Sequence, residues 1–156
     1  MTNLTEPHAA VRFAALPRAR ADVLRRALAR ACDAGASAEL APDGPPERVM
    51  KEADVIVSLP WPVTGDAHQS ALAAMAARKP VIVLETTSTA DWPALDPQTW
   101  QPRGFNAAAP IVISLDPRDE EHSLVLAIQR LSSDPALRAR LADAAYAWRE
   151  RQPPAS

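Results

Sequence analysis

A short polar turn between two apolar segments carries the residues best suited to chemistry in this 156-residue chain. Thr64, Gly65 and Asp66 form that turn, and Ala67 and His68 follow at the start of a predicted helix. A glycine lets a ligand approach the backbone closely, and the free N–H groups of a helix N-terminus attract phosphate. Asp66 and His68 add side chains that hydrogen-bond a sugar or a phosphate. The turn therefore predicts an anion-binding site; the alternative is that Asp66 only caps the helix.

The elements that flank the turn predict where it lies in the fold. Two apolar runs, Val55–Leu59 and Val81–Leu84, enclose the turn and the predicted helix Ala67–Arg78. Apolar runs without polar alternation are typical of strands buried on both faces, as in a parallel sheet. A parallel pair needs a crossover connection, which this helix supplies. Because ligands of open α/β sheets bind beyond the carboxyl ends of the strands, the turn lies where a ligand is expected.

The rest of the chain continues the alternation of strands and helices. Further strands are predicted at Val11–Leu16, Ser37–Ala41 and Ile111–Leu115. Further helices are predicted at Pro17–Asp33, which Gly35 closes, at Pro45–Ala53, and after Asp116 and Asp134, which each precede a proline as helix caps do. Residues 86–109 predict a long loop with one helical turn near Asp91–Leu95.

This order of elements predicts a single Rossmann-like α/β domain. We expect three layers, α/β/α, with a mostly parallel sheet between the two layers of helices. The domain is predicted to span residues 11–150, between a flexible N-terminus at 1–10 and a flexible tail at 151–156.

Composition narrows the classes of function. A formal net charge of −2 argues against a dedicated nucleic-acid binder, and no apolar run approaches the roughly 20 residues of a membrane span. The single cysteine, Cys32, excludes a disulfide framework, fits a reducing cytoplasm and is expected to be a small buried helix residue. Abundant alanine and arginine with scarce lysine indicate a GC-rich bacterial genome.

The sequence shows none of the common catalytic or cofactor motifs. No metal-ligand spacing is visible, so no metal is predicted. The glycine-rich dinucleotide and P-loop patterns are missing as well. No catalytic triad or dyad can be assigned from spacing, and the catalytic residues stay unknown.

Several short motifs resemble the C-terminal domain of GT-B-fold glycosyltransferases of the family 4 group. Ala53-Asp54-Val55, Gly65-Asp66, Ala74-Met75-Ala76 and Pro80-Val81-Ile82 follow the order and spacing of that family. The ending Leu131-Ser132-Ser133-Asp134-Pro135-Ala136-Leu137-Arg138, followed by Leu141 and Ala145, is similar to a frequent family ending. The resemblance covers about residues 11–150.

The resemblance implies a domain that binds a nucleotide-diphosphate sugar as the substrate of glycosyl transfer, without a cofactor. Gly65, Asp66, Ala67 and His68 would meet the donor's phosphate and sugar, and Thr86 and Thr87 would flank it. The acceptor site would lie on a missing domain or another chain that completes the GT-B cleft, or the chain would form a homo-oligomer. The family's later glutamate, which typically holds the donor's ribose, falls on Ala73.

Two alternatives stay open at this point. One is a non-catalytic binding or assembly module on a degenerate glycosyltransferase scaffold, which Ala73 favours. The other rests on the run ADVIVSLPWPVTGDAH, which is also similar to D-2-hydroxyacid dehydrogenases. Those enzymes need a glycine-rich fingerprint and an arginine after the second strand, where this chain has Glu85-Thr86-Thr87.

Overall fold

A computed structural model describes residues 10–16, 21–59, 69–86, 89–103 and 109–151. The strands are β1 (Val11–Ala15), β2 (Ala38–Leu40), β3 (Val55–Ser58), β4 (Val81–Leu84), β5 (Ala94–Leu95), β6 (Pro102–Arg103) and β7 (Val112–Leu115). The helices are α1 (Ala21–Asp33), α2 (Pro46–Glu52), α3 (Gln69–Ala76), α4 (Glu120–Ser133) and α5 (Pro135–Arg151), with a 3-10 turn at Pro117–Asp119 before α4.

The seven strands form one mostly parallel sheet in the order β2-β1-β3-β4-β7-β5-β6. Every neighbouring pair is parallel except β5 and β6. The predicted unit of two parallel strands joined by a helix is confirmed as β3, α3 and β4, with Ile56 opposite Val81. The chain is thus an α/β protein, consistent with a Rossmann-like fold.

The central strands are apolar throughout because both of their faces are covered. All residues of β3, β4 and β7 are buried. Val55 and Val57 join a cluster with α1 and α4, whereas Ile56, between them, joins a second cluster with Met75 of α3. Burying a side chain of this size contributes about 1.5–3 kcal/mol. The continuous apolar runs of the sequence therefore indicate strands that are packed against helices on both faces of the sheet.

Helix α5 contributes to both clusters. Leu137 and Leu141, in its first half, pack with α1 and α4. Ala145 and Trp148, in its second half, pack with the cluster of α3, where the rings of Trp148 and Trp92 lie 5.5 Å apart. The last helix therefore packs with the hydrophobic clusters on both faces of the sheet.

Two predictions about local structure are wrong. The expected helical turn near Asp91–Leu95 is only a single hydrogen-bonded turn, in which Trp92 N donates to Thr89 O at 3.0 Å. Ala94–Leu95 instead form the strand β5, which pairs with β7 and with the edge strand β6. Strands of two residues are too short to show a hydrophobic periodicity, so they cannot be predicted from the sequence. Cys32 is exposed rather than buried, because it lies on the outer side of α1 with its Sγ 3.2 Å from the Ala38 carbonyl oxygen.

Helices α1 and α3 end in the same motif with different residues. Gly35 N donates to Cys32 O and Ala36 N donates to Ala31 O, which closes α1 as predicted, with φ of 102° at Gly35. After α3 the corresponding left-handed position is Arg78, with φ of 59°. An arginine therefore occupies a conformation that favours glycine.

Candidate ligand site at the carboxyl ends of β4 and β7

The structure describes only part of the predicted donor site. Gly65, Asp66, Ala67, His68 and Thr87 lie outside the described residues. Thr86, the remaining member, comes two residues after the end of β4. The geometry of the site is therefore built from Thr86 and from the groups that the fold places around it.

Thr86 is held in place by a buried hydroxyl. Thr89 Oγ1 donates to Leu84 O at 3.1 Å and lies 3.0 Å from the backbone N of Thr86, whose N–H it accepts. The Thr86 hydroxyl oxygen lies 3.4 Å from the same Thr89 oxygen. Thr89 is only 7% exposed, whereas Thr86 is half-buried. These bonds turn the chain sharply at the carboxyl end of β4 and leave Thr86 at the surface.

A charged pair lies beside this turn. Arg103 Nη1 of β6 lies 2.6 Å from Glu85 Oε1, and Arg103 Nη2 donates to the carbonyl oxygen of Ser114 in β7. The Nε atom of Arg103 is buried and has no hydrogen-bond partner within the part of the chain that the structure describes. The guanidinium thus bridges the carboxyl ends of two parallel strands from the edge of the sheet.

The residues that follow β7 form a second charged pair. Arg118 donates to Asp116 through Nε at 3.2 Å and Nη2 at 3.1 Å, and its backbone N–H lies on Asp116 Oδ1 at 2.9 Å. The side-chain bond from Arg118 lowers the pKa of Asp116, followed by the backbone bond. Asp116 therefore caps the turn that leads into α4, as predicted from the proline after it, and stays ionised at neutral pH.

Two shallow depressions meet along this edge of the sheet. One has a volume of about 420 Å³ and lies between Thr86 and Arg118; the other, of about 290 Å³, lies between Thr89 and Arg103. Glu85 lines both of them. The edge predicted to bind a ligand is concave, and Thr86 lies in its larger depression.

The charges around these depressions balance. Two arginines, Arg103 and Arg118, face two carboxylates, Glu85 and Asp116. A polar, hydroxyl-bearing surface of this kind suits a ligand with several hydrogen-bonding groups better than a bare anion. Among the described residues, no group of three or more histidine, cysteine, aspartate and glutamate side chains is placed to hold a metal ion.

In comparisons with known proteins, no protein family, curated protein or solved structure matches the chain. Within the described part of the chain, no helix has both the length and the apolar character needed to cross a membrane.

Sequence reasoning did not find the two arginines of the site. Arg118 carries a local signal, since it follows a strand, an aspartate and a proline in the order that starts a helix. Arg103 carries none, because it comes to Glu85 only through the pairing of β5 and β6 at the edge of the sheet. Ala73, where the resembling family has a glutamate, lies exposed on α3 and has no group to hold a ribose.

Proposed function

We propose that this chain is a glycosyltransferase-type domain that binds a nucleotide-diphosphate sugar. In this proposal it is the C-terminal, three-layer half of a GT-B fold, and a separate domain or chain supplies the acceptor. The observation that carries the proposal is the parallel β3-α3-β4 unit with Thr86 in a concave edge at its carboxyl end. The motifs that resemble the family 4 group lie on that same unit.

The proposal assigns a role to each residue of the predicted site. Gly65, Asp66, Ala67 and His68 meet the diphosphate and the sugar through the start of α3, and Thr86 and Thr87 flank the sugar. Backbone N–H groups at a helix start stabilise a diphosphate without a metal ion. The balanced charges of Glu85, Arg103, Asp116 and Arg118 leave the recognition of the sugar to hydrogen bonds.

The decisive test is a titration of the full chain with UDP, GDP, ADP and their sugar conjugates, followed by calorimetry and by NMR. We expect saturable binding of one nucleotide series, with shifts at the amides of Glu85, Thr86 and Arg118. Asp66→Ala should abolish that binding while the free energy of unfolding falls by only about 1 kcal/mol, the contribution of a helix cap. Thr99→Val, which removes an exposed hydroxyl that lines neither depression, is the matched control and should bind as the parent chain does.

The second candidate is a non-catalytic binding or assembly module on the same scaffold. Exposed Ala73 on α3 favours it, because the position has no carboxylate for a ribose. No binding of any nucleotide at millimolar concentration, with the chain folded, would overturn the transferase proposal and support the module. The same would hold if Asp66→Ala lost stability without any binding to lose.

Under the transferase proposal the chain works in a bacterial cytoplasm, where nucleotide sugars are made. Its partner would be the acceptor-binding domain or chain, or a second copy of this chain. Mixing with that partner should raise the affinity for the donor, since the cleft is then complete.

A further inference from the structure

A separate cavity of about 290 Å³ lies at the edge of the sheet, near the amino end of β7. Its apolar wall is made by Leu95 of β5 and by Leu137 and Leu141 of α5, which are buried. Pro110, two residues before β7, also lines it. The cavity therefore lies at the opposite end of β7 from Asp116 and the depressions around Thr86.

Trp100 forms one side of the cavity through an unusual backbone conformation. Its φ is 59°, a left-handed value that is strained for any residue other than glycine. The turn is held by Trp100 N donating to Asp96 O at 2.6 Å and by Asp96 N donating to Gln101 O at 3.1 Å. Gln98 N also donates to Asp96 Oδ1 at 2.9 Å. These bonds hold the strained residue in place and keep its indole against the cavity.

Two arginines line the polar side of the cavity. The guanidinium of Arg130 lies 4.8 Å from the centre of the Trp100 ring, and its Nε lies 3.0 Å from Asp134 Oδ2. Arg140 of α5 is exposed and also lines the cavity, and it is close enough to Asp134 for its charge to act on the same carboxylate. Two cations thus share one carboxylate, which leaves this side of the cavity positively charged.

We propose that this cavity binds a small organic anion with a flat apolar body, of the aryl carboxylate class. The ring lies between the Trp100 indole and the leucines, and the carboxylate pairs with Arg140 and Arg130. Ligand pockets in proteins measure roughly 300–1,000 Å³, so a cavity just below that range takes a small ligand. Guanidinium groups bind carboxylates through paired hydrogen bonds, which gives the preference for an anion.

Other kinds of small ligand fit the cavity less well. A neutral aromatic molecule would cover the arginines without pairing their charge, which costs desolvation. An amine would be repelled by Arg130 and Arg140. Selectivity for the anion among molecules of the same shape is therefore the property to test.

The experiment titrates the full ¹⁵N-labelled chain with benzoate, benzyl alcohol and benzylamine, which share one ring and differ in charge. We expect saturable shifts with benzoate at the Trp100 indole N–H and at the amides of Leu95 and Leu141. Benzyl alcohol and benzylamine should bind at least about tenfold more weakly, a difference of about 1.4 kcal/mol.

Two arginine variants test whether the charge of Arg140 is responsible for the preference for an anion. Arg140→Gln removes an exposed side chain, so the fold should be kept, and the Kd for benzoate should rise about tenfold. Arg25→Gln, which removes an exposed arginine of α1, is the matched control and should leave that Kd unchanged. The proposal is overturned by the absence of shifts up to the solubility limit of benzoate, by shifts at Thr86 instead of Trp100, by equal binding of the three probes, or by an unaltered Kd in Arg140→Gln.

Discussion

Arg103 Nη1 lies 2.6 Å from Glu85 Oε1, and this pair joins the edge strand β6 to the carboxyl end of β4 across β5 and β7. The two residues are 18 positions apart in the chain. The same guanidinium also donates to the backbone carbonyl oxygen of Ser114. Arg103 therefore has two partners, of which Glu85 is one. The candidate ligand site therefore depends on an arginine that belongs to an edge strand of the sheet.

This geometry predicts unequal effects for the two charges. Glu85→Gln should lower the free energy of unfolding by at most about 1 kcal/mol, since the pair is partly exposed and screened by solvent. Arg103→Gln should cost more, about 1–2 kcal/mol, because the Ser114 carbonyl oxygen loses its donor as well. Urea unfolding of both variants and of the double variant measures the difference. Equal losses in the two single variants would show that the Ser114 contact contributes nothing.

The hydroxyl of Thr89 should stabilise the fold because it makes two backbone hydrogen bonds in a nearly buried position. Thr89→Val keeps the shape but removes the bonds to Leu84 O and Thr86 N in a nearly buried position. We expect the free energy of unfolding to fall by about 1–3 kcal/mol, and Thr86 to lose its fixed position, so that donor binding weakens too. Chemical denaturation and the nucleotide titration measure the two effects. Thr99→Val is the control, because the Thr99 hydroxyl also accepts a backbone bond, from Gln101 N at 3.2 Å, but in an exposed position where water can replace it. It should stay within about 0.5 kcal/mol of the parent; a loss as large there would argue against the role of burial.

At position 78 a glycine should give a more stable chain than an alanine, whereas in the interior of a helix alanine is the more stabilising residue. The guanidinium of Arg78 lies 3.9 Å from the Tyr146 ring centre and 3.4 Å from Asp143, so Arg78→Ala loses these contacts and keeps the left-handed backbone. Arg78→Gly loses the same contacts but relieves the strain, and should be more stable than Arg78→Ala by about 1 kcal/mol. The comparison of the two variants by thermal and urea unfolding isolates the backbone term.

The control for this comparison is Ala73, an exposed position inside α3. Ala73→Gly should lower the free energy of unfolding by about 1 kcal/mol, because glycine is a poor helix former. If glycine destabilised both positions alike, the left-handed conformation of Arg78 would not be a source of strain.

Glu121 should make the chain sensitive to acid. It accepts hydrogen bonds from Arg26 Nε and Arg30 Nη1, both at 3.0 Å, and so joins α4 to α1. The bond from Arg26, followed by that from Arg30, lowers the pKa of Glu121 below its ordinary value of 4.5. The unfolded chain has the ordinary value, so this stabilisation is present above about pH 4.5 and is lost as the pH falls through the lower folded value.

Urea midpoints measured from about pH 7 to about pH 3 test this pH dependence. Glu121→Gln should be less stable than the parent at neutral pH, and the difference should shrink in acid. Some acid sensitivity should remain, because the Leu137 amide and then Arg130 lower the pKa of Asp134 as well. Glu47→Gln changes an exposed glutamate of α2 and should follow the parent curve. A constant difference between Glu121→Gln and the parent at all pH values would contradict the assignment.

The structure corrects the sequence reasoning where the signal is not local. Arg26 and Arg30 lie on the exposed side of α1, as their spacing indicates, but their pairing with Glu121 depends on how α1 packs on α4. Cys32 is exposed because the apolar line of α1 ends at Ala31, and helix packing decides which small residue faces inward. Such contacts join residues far apart in the chain, and no local pattern encodes them.

By itself the sequence determined the parallel β3-α3-β4 unit and the caps at Asp116 and Asp134, because apolar runs and capping residues act within a few positions of the chain. It also directed attention to the carboxyl edge where Thr86 lies. Only the tertiary structure decided that β5 and β6 extend the sheet, since these strands of two residues form through the pairing of β5 with β7 and of β6 with β5, and not through their own preference. The meeting of Arg103 with Glu85 follows from that extension, and so does the cavity between Trp100 and α5.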